Sequence, residues 1–231
     1  MQWNEIEQLI VDFVNLRCEE EWAINPRVFA ADFAKAYRQL QRTHFEDPDY
    51  NLRLAGEAYC LKYHLQRMDN VNTALNFIHD VYPLLQEAQP SVLDVGGGTG
   101  SSTMAVSGWF TGNNVGNSLN IQYCEPALPM NSVAKVLVPR FLQTLQGNSS
   151  AAVPFVSCDI NQELLFGCAA TGRQAEKAIH DLVVFSFTFW KQEQREFART
   201  AQLVLDIGRL LKSSAVMFFL TPDKPVEKSN S

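Results

Sequence analysis

The sequence predicts an α/β protein, with a doubly wound, mostly parallel sheet and an N-terminal helical cap. Three observations predict it. Between residues 91 and 220, short apolar runs alternate with amphipathic stretches at the spacing of strand and helix units. The first apolar run leads into a glycine-rich turn and then into a helix start. The patterned stretches before it have helical spacing, so we expect a helical cap at residues 1–88 and a sheet domain at residues 89–231.

The cap is expected to contain three or four helices. Apolar residues recur at helical spacing from Trp3 to Val14, which indicates an amphipathic helix. Asn25 followed by Pro26 is a typical helix start, and this second helix is predicted to end near Thr43. Residues 53–85 are predicted to form one or two further helices that end shortly before the first strand.

In the sheet domain the sequence predicts five strands. They lie at residues 91–95, 120–124, 153–157, 181–185 and 214–220. Helices are expected between them at residues 102–110, 131–145, 163–179 and 191–211. The fourth strand is continuously apolar, as is usual for a parallel strand covered on both faces. No further strand is predicted after residue 220, so the sheet either stops at five strands or has its edge covered by the cap helices or another subunit.

The turn after the first strand reads D-V-G-G-G-T-G. In it Asp94 precedes Gly96, Gly98 and Gly100, which have the spacing G-x-G-x-G. A dinucleotide-binding loop requires G-x-G-x-x-G and a P-loop requires Gly-Lys-Ser/Thr, so the spacing disfavours a dehydrogenase and excludes a P-loop. The remaining alternative to a binding loop is a glycine turn that binds no ligand.

This string resembles the first motif of the class I S-adenosylmethionine-dependent methyltransferases, in which an acidic residue precedes G-x-G-x-G. The resemblance implies a Rossmann-like methyltransferase fold, with S-adenosylmethionine as the cofactor. It implies that five consecutive residues wrap the amino-acid end of the cofactor, namely Gly96, Gly97, Gly98, Thr99 and Gly100. Asp94 is expected beside that end, either directly or through water.

Acidic residues follow the next two strands in the order that the resemblance requires. Glu125 comes after the second strand, and the resemblance assigns it to the ribose, whose two hydroxyls one carboxylate can accept. Asp159 and Ile160 come after the third strand, where they are expected to accept from the adenine amine and to cover the ring. The alternative for Glu125 and Asp159 is that each caps the helix that follows it.

The segment after the fourth strand matches the position of the fourth motif of the family. It begins with Ser186, Phe187 and Thr188, and the carboxyl end of that strand is expected to face the transferred methyl. The segment lacks the Asn/Asp-Pro-Pro-aromatic motif of amino methylation and the Pro-Cys of cytosine C5 methylation. Its aromatic residues either stack on the acceptor or belong to the core.

The cap helix before the first strand carries the residues that we expect to be catalytic. Tyr63 and Arg67 lie four positions apart and share a helix face, and His64 is next to them. Arg67 is suited to hold a carboxylate, and Tyr63 or His64 to take up an acceptor proton near neutral pH. The alternative is that His64 is packed inside the helix layer and Arg67 pairs with a surface carboxylate.

The same stretch, Y-H-L-Q-R-M-D-N-V-N-T-A-L, resembles the helix before the glycine motif in the Rsm22-like, ribosome-associated methyltransferase-like proteins. It lacks the proline of that family, and the chain lacks the cysteine cluster of many members. This resemblance implies a second function, that of a ribosome- or RNA-associated assembly factor without catalysis.

Charge and composition bear on the partner and the compartment. The net charge of −6 gives no general attraction to nucleic acid, so a small organic acceptor is favoured over RNA or the ribosome. No apolar run has the length of a membrane span and no secretory signal is recognisable at the N terminus, so we expect a cytoplasmic protein without a membrane partner. The five cysteines have no ligand spacing, and no metal site is predicted.

Overall fold

A computed structural model describes residues 3–41, 48–81, 90–113, 118–147, 155–160, 180–186 and 194–220. Its helices are α1 (Trp3–Ile24), α2 (Pro26–Gln41), α3 (Ala55–Tyr59), α4 (Leu65–Val81), α5 (Ser101–Gly112), α6 (Leu128–Gly147) and α7 (Gln194–Gly208). A π-helical turn, Cys60–His64, joins α3 directly to α4. The strands are β1 (Ser91–Val95), β2 (Ser118–Cys124), β3 (Phe155–Ile160), β4 (His180–Ser186) and β5 (Leu211–Leu220).

The five strands form one sheet in the order β3-β2-β1-β4-β5, and every neighbouring pair is parallel. The chain runs outward from β1 to β3, then returns to β4 on the other side of β1. The strand order therefore reverses between β1 and β4, the position where open parallel sheets bind ligands. Val95 at the end of β1 pairs with Cys124 on one side and Phe185 on the other, so three carboxyl ends lie level. The predicted fold class, a doubly wound parallel sheet, is confirmed.

Helices cover both faces of this sheet. Val92 and Val184 point to one face, where they share a buried cluster with Leu137 of α6. Leu93, one residue further along β1, points to the other face and packs in a cluster with Ile207 of α7. Burying one such side chain contributes about 1.5 to 3 kcal/mol. Because successive residues of β1 point to opposite faces, and both faces are covered, Val92 and Leu93 are both buried.

The cap helices are packed onto the sheet domain. Ile10 and Phe13 of α1 belong to the same buried cluster as the strands. A third cluster joins Leu40 of α2 and Tyr59 of α3 to Met130 near the start of α6. The division at residue 88 stays a prediction, and the helices before it share their core with the sheet.

Gly56 allows α3 to approach α6 closely. A Cβ at this position would lie 2.5 Å from Val133 Cγ2 and 2.7 Å from the carbonyl oxygen of Pro129. Both distances are shorter than any normal contact, so a larger residue would push α3 away from the first turn of α6.

Several predicted element boundaries differ from those of the structure, including those of the last helix and the third strand. The last helix was expected to continue to residue 211, but α7 ends at Gly208, a residue type that favours helix termination. The third strand lies at Phe155–Ile160, where it pairs with β2 over its whole length, rather than at residues 153–157. The predicted helix at residues 163–179 lies outside the described residues. None of the described helices combines the length and the apolar composition that crossing a bilayer requires.

Candidate functional site

The glycine loop connects the carboxyl end of β1 to the start of α5. Gly96, Gly98 and Gly100 have φ values of 67°, 60° and 88°, which lie in the left-handed region that side chains disfavour. The amides of Gly96 and Gly97 donate to the carbonyl oxygen of Cys124, at 2.8 and 3.2 Å. These bonds fasten the loop across the carboxyl end of β2.

The glycines of the loop differ in how much space surrounds them. A Cβ on Gly97 would lie 2.4 Å from the ring of Tyr123, and one on Gly100 would lie 2.3 Å from Val138 Cγ2. Among the described residues, a Cβ on Gly98 would meet only Met130 Cε, at an ordinary contact distance of 3.5 Å. The protein therefore closes the space beside Gly97 and Gly100, whereas the space beside Gly98 is left for a ligand or solvent.

Asp94 lies beneath this loop and is fully buried. Its Oδ2 accepts a hydrogen bond from the hydroxyl of Thr103 at 2.7 Å, whereas its Oδ1 has no hydrogen-bond partner among the residues that the structure describes. Burial raises the pKa of this carboxyl to about 7, and the Thr103 hydrogen bond opposes that rise. A buried carboxylate oxygen without a donor requires compensation, and a nearby positive charge would supply it.

Glu125 ties the glycine loop to α6. Its Oε2 accepts from the amide of Gly98 at 2.9 Å, and its Oε1 accepts from the amide of Ala127 at 2.7 Å. Its own carbonyl oxygen accepts from Asn131 Nδ2 at 2.9 Å. Burial raises the pKa of Glu125, and the two backbone amides oppose this. These bonds place the Glu125 carboxylate beside the glycine loop, and a carboxylate is a group that can accept hydrogen bonds from ribose hydroxyls.

Two residues that the sequence analysis missed also hold the loop. The hydroxyl of Tyr123 donates to the carbonyl oxygen of Gly98, and Thr103 anchors Asp94. Strand periodicity contains a signal for Tyr123, because it pairs directly with Asp94 across β1 and β2. No comparable sequence pattern predicts the role of Thr103, because its contact with Asp94 forms only when the first turn of α5 packs against that residue.

His64 is fully buried below the glycine loop. Its Nδ1 lies 2.8 Å from Thr99 Oγ1, and its Nε2 lies 3.3 Å from Met104 Sδ. Burial lowers the pKa of His64 to about 3. The prediction that His64 takes up a proton near neutral pH is therefore wrong, because a charged imidazole at this position would lose its hydration without a counter-charge.

Tyr63 and Arg67 lie on one face, as their spacing predicts. The guanidinium carbon of Arg67 is 5.3 Å from the centre of the Tyr63 ring, and Lys62 Nζ is 4.9 Å from the same centre. Arg67 Nε donates to the hydroxyl of Tyr59 at 3.3 Å, and the Tyr63 hydroxyl donates to the carbonyl oxygen of Leu40 at 2.8 Å. We call these four side chains, Tyr59, Lys62, Tyr63 and Arg67, the cap face.

The cap face adjoins the glycine loop and the start of α6. Tyr59 is packed with Ala127 and Met130, and Met130 is the residue nearest to the open side of Gly98. Burial raises the pKa of Tyr59; the charge of Arg67 opposes that rise and the charge of Glu125 adds to it. The cap face thus borders the space beside Gly98 and Glu125.

The structure describes only some of the other predicted site residues. Asp159 pairs with Gln122 and Ile160 pairs with Tyr123, so Ile160 lies across β2 from Asp94. Both belong to β3 itself, whereas they were expected to follow it. Ser186 is the buried last residue of β4. Phe187 and Thr188 lie outside the described residues.

A cavity of about 340 Å³ lies away from this edge of the sheet, between α1, α4, α5 and α6. Its walls are lined by residues that include Met68, Met104, Trp109 and Phe141. None of the predicted site residues lines it. We place the candidate site at the glycine loop because that loop has the backbone conformation, the open glycine and the buried acid that ligand binding explains.

No protein-family model and no curated protein matches the chain. Several solved structures resemble it, including the following three. MnmC2 from Aquifex aeolicus has 14% identity, with coverage of 58% of this chain and 43% of its own, and a TM-score of 0.35. DszA carbon methyltransferase has 18% identity, coverage of 86% and 50%, and a TM-score of 0.42.

A Listeria monocytogenes protein assigned to the class I S-adenosylmethionine-dependent methyltransferases has 15% identity, coverage of 95% and 74%, and a TM-score of 0.47. The chain therefore spans no more than half the length of the first two proteins. The likeness concerns the fold. Two of the three are named as methyltransferases, the class that the glycine motif resembles.

Proposed function

We propose that this chain is an S-adenosylmethionine-dependent methyltransferase that transfers a methyl group to a small organic acceptor. The observation that carries the proposal is the glycine loop at the switch between β1 and β4. Three of its glycines are left-handed, and among the described residues a Cβ at Gly98 would make only an ordinary contact, with Met130. Glu125 and a buried, half-satisfied Asp94 lie next to it.

The residues present suit the proposed cofactor. Gly96 to Gly100 would hold the amino-acid end of the cofactor. The ammonium group of that end would compensate the buried Oδ1 of Asp94, which has no hydrogen-bond donor among the described residues. Glu125 would accept hydrogen bonds from the ribose hydroxyls. Asp159 and Ile160 would hold the adenine at the end of β3, and Ser186, Phe187 and Thr188 would border the methyl.

The cap face would bind the acceptor. When bound, S-adenosylmethionine supplies a methyl group on a sulfonium, which a nucleophile displaces directly. Arg67 and Lys62 both carry a positive charge close to one ring, that of Tyr63. Such an arrangement favours a planar acceptor that carries a carboxylate or another anion. The contribution of these side chains is alignment of the acceptor and exclusion of water.

Titration calorimetry with S-adenosylmethionine, S-adenosylhomocysteine and NAD tests the cofactor assignment. We expect the first two to bind and NAD not to bind. Gly98→Leu should abolish binding because its side chain would fill the open space beside the loop. Gly112→Leu is the matched control, since a Cβ at Gly112 meets nothing within 4 Å. Normal binding by a folded Gly98→Leu variant would show that the loop is not the cofactor site.

The cap face also favours a second function. Aromatic rings interleaved with basic side chains are suited to single-stranded RNA, and the Rsm22-like string lies on the same helix. An RNA- or ribosome-associated assembly factor would bind S-adenosylmethionine without turnover and would co-sediment with ribosomal subunits. Formation of S-adenosylhomocysteine with extracted small molecules, and its absence with RNA, would support the enzyme instead.

A further inference from the structure

The helix before β1 contains an irregular turn at the point where it meets the glycine loop. Residues Cys60–His64 form a π-helical turn between α3 and α4. Such turns are rare, and they commonly occur at functional sites because they redirect a side chain out of the regular helical series. The side chain at the end of this turn is His64.

His64 connects two elements of the cofactor side. One ring nitrogen contacts Thr99, the middle residue between the left-handed Gly98 and Gly100. The other contacts Met104 in the first turn of α5. His64, Thr99 and Met104 are each 0% exposed, so water cannot replace either contact.

The chemistry of the partners determines the direction of both hydrogen bonds. Burial lowers the pKa of His64 to about 3, so the ring is neutral and has one donor and one acceptor. A thioether sulfur can only accept. Nε2 therefore carries the proton toward Met104, and Nδ1 accepts from the hydroxyl of Thr99. The thiol of Cys60, 3.8 Å from Nδ1, has a pKa raised to about 12 by burial and stays protonated.

We propose that His64 is a positioning residue: its Nδ1 holds the Thr99 hydroxyl and thereby keeps the glycine loop in its binding conformation. This inference rests on the proposed function, because the loop that it holds is the proposed cofactor loop. Among the described residues, other bonds also order this part of the loop. They include Gly98 N to Glu125, Gly100 N to the carbonyl oxygen of Gly97, Met104 N to the carbonyl oxygen of Gly100, and the Tyr123 hydroxyl to the carbonyl oxygen of Gly98.

Paired substitutions separate this role from simple packing. In His64→Asn the amide occupies the place of Nδ1 and can still bind Thr99, whereas in His64→Gln it occupies the place of Nε2. Both variants shorten or reshape the ring, so we expect similar losses of stability. S-adenosylmethionine should bind to His64→Gln about 2- to 10-fold more weakly than to the parent, and His64→Asn should recover most of that loss.

Thr99 provides the reciprocal pair. Thr99→Val keeps the branched shape but removes the hydroxyl, and should weaken binding by the same factor as His64→Gln. Thr99→Ser keeps the hydroxyl and should bind S-adenosylmethionine more tightly than Thr99→Val. The double variant His64→Gln/Thr99→Val should lose no more than either single variant, because both remove one shared bond. This pair also carries the test if the histidine variants do not fold.

Amide hydrogen exchange of the protein without ligand gives a readout independent of cofactor binding. We expect the Gly98 and Gly100 amides to exchange about 2- to 10-fold faster in Thr99→Val than in Thr99→Ser or the parent. Equal exchange and equal affinity in all variants would overturn the inference and leave His64 as a packed residue. If the parent binds no S-adenosylmethionine, the proposed function fails, and the exchange rates alone still decide whether His64 orders the loop.

Discussion

The loop side and the cap side of the candidate site are held by different kinds of contact. On the loop side, backbone amides bind Cys124 and Glu125, and the side chains beneath are fully buried. On the cap face, half-buried rings and long cationic side chains contact each other at 4.9 to 5.4 Å between centres. Backbone contacts permit little variation, whereas long side chains can be exchanged or moved. Under the proposed function, this difference predicts a fixed cofactor side and an adaptable acceptor side.

The largest expected effect concerns the buried acid of the loop side. Because the folded pKa of Asp94 is raised from 3.8 to about 7, its contribution to stability is complete below pH 3.8. This contribution is lost as the pH rises from 3.8 to about 7, and above that pH Asp94 causes no further change in stability. The difference amounts to about 4 kcal/mol, from three units of pKa.

Urea unfolding of the parent and of Asp94→Asn between pH 4 and pH 8 measures this. The Asn variant should lack the decline and gain stability relative to the parent as the pH rises. Glu57 and Glu125 also have raised pKa values, and they remain in both proteins, so the difference reports Asp94. Parallel pH profiles would contradict a buried, protonated Asp94.

The next prediction tests whether the loop side tolerates change. Gly100→Ala should lower the free energy of unfolding by about 2 to 4 kcal/mol, since its Cβ would clash with Val138 and its φ is 88°. Gly112→Ala should be neutral or slightly stabilising because its Cβ meets nothing. Chemical denaturation of both variants gives the comparison. Equal stabilities would mean that the loop side is not fixed.

Glu125 contacts both the loop and, by our proposal, the cofactor. Glu125→Ala should weaken cofactor binding by about 1.5 to 3 kcal/mol, the range for hydrogen bonds to a charged group. Calorimetry with S-adenosylhomocysteine and its 2′-deoxy form separates the two roles. The parent should prefer the ribose form, and the variant should bind both forms alike. A lowered melting temperature with preserved preference would show that Glu125 is only a helix cap.

The smallest effect is expected on the cap face. Tyr63→Phe removes the hydrogen bond to Leu40 and should cost about 1 kcal/mol of stability.

Arg67→Met should raise the KM for an anionic acceptor and leave the dissociation constant of S-adenosylmethionine within twofold. Steady-state kinetics and calorimetry together measure this. A large change in cofactor affinity would mean that the cap face also belongs to the fixed side.

The fold and the glycine loop could be predicted because both depend on local patterns. The strand spacing and the string after β1 are contiguous in sequence, and the left-handed residues coincide with glycines, the residue type that adopts this conformation most readily. The shared helix face of Tyr63 and Arg67 could also be predicted, because their contact lies along one continuous helical segment.

The position of His64 could not be predicted in the same way. A regular helix would keep neighbouring residues on adjacent faces, and no sequence pattern indicated a π-helical turn at Cys60–His64. Its partner Thr99 is 35 residues away, and the desolvation that lowers its pKa arises only when the two segments meet. The same reason applies to Tyr123, whose hydroxyl reaches a carbonyl 25 residues earlier.

The packing of α1 restricts how molecules reach the site. Ile10, Phe13 and Val14 are at most 3% exposed and belong to the cluster that also contains Val92 of β1. If the cap helices moved away from the sheet as one rigid body, these side chains would leave the core and become exposed to water. Ligand exchange would then be as rare as partial unfolding. Entry and release therefore depend on smaller rearrangements, such as rotamer changes of Arg67 and Lys62, while α1 stays in place.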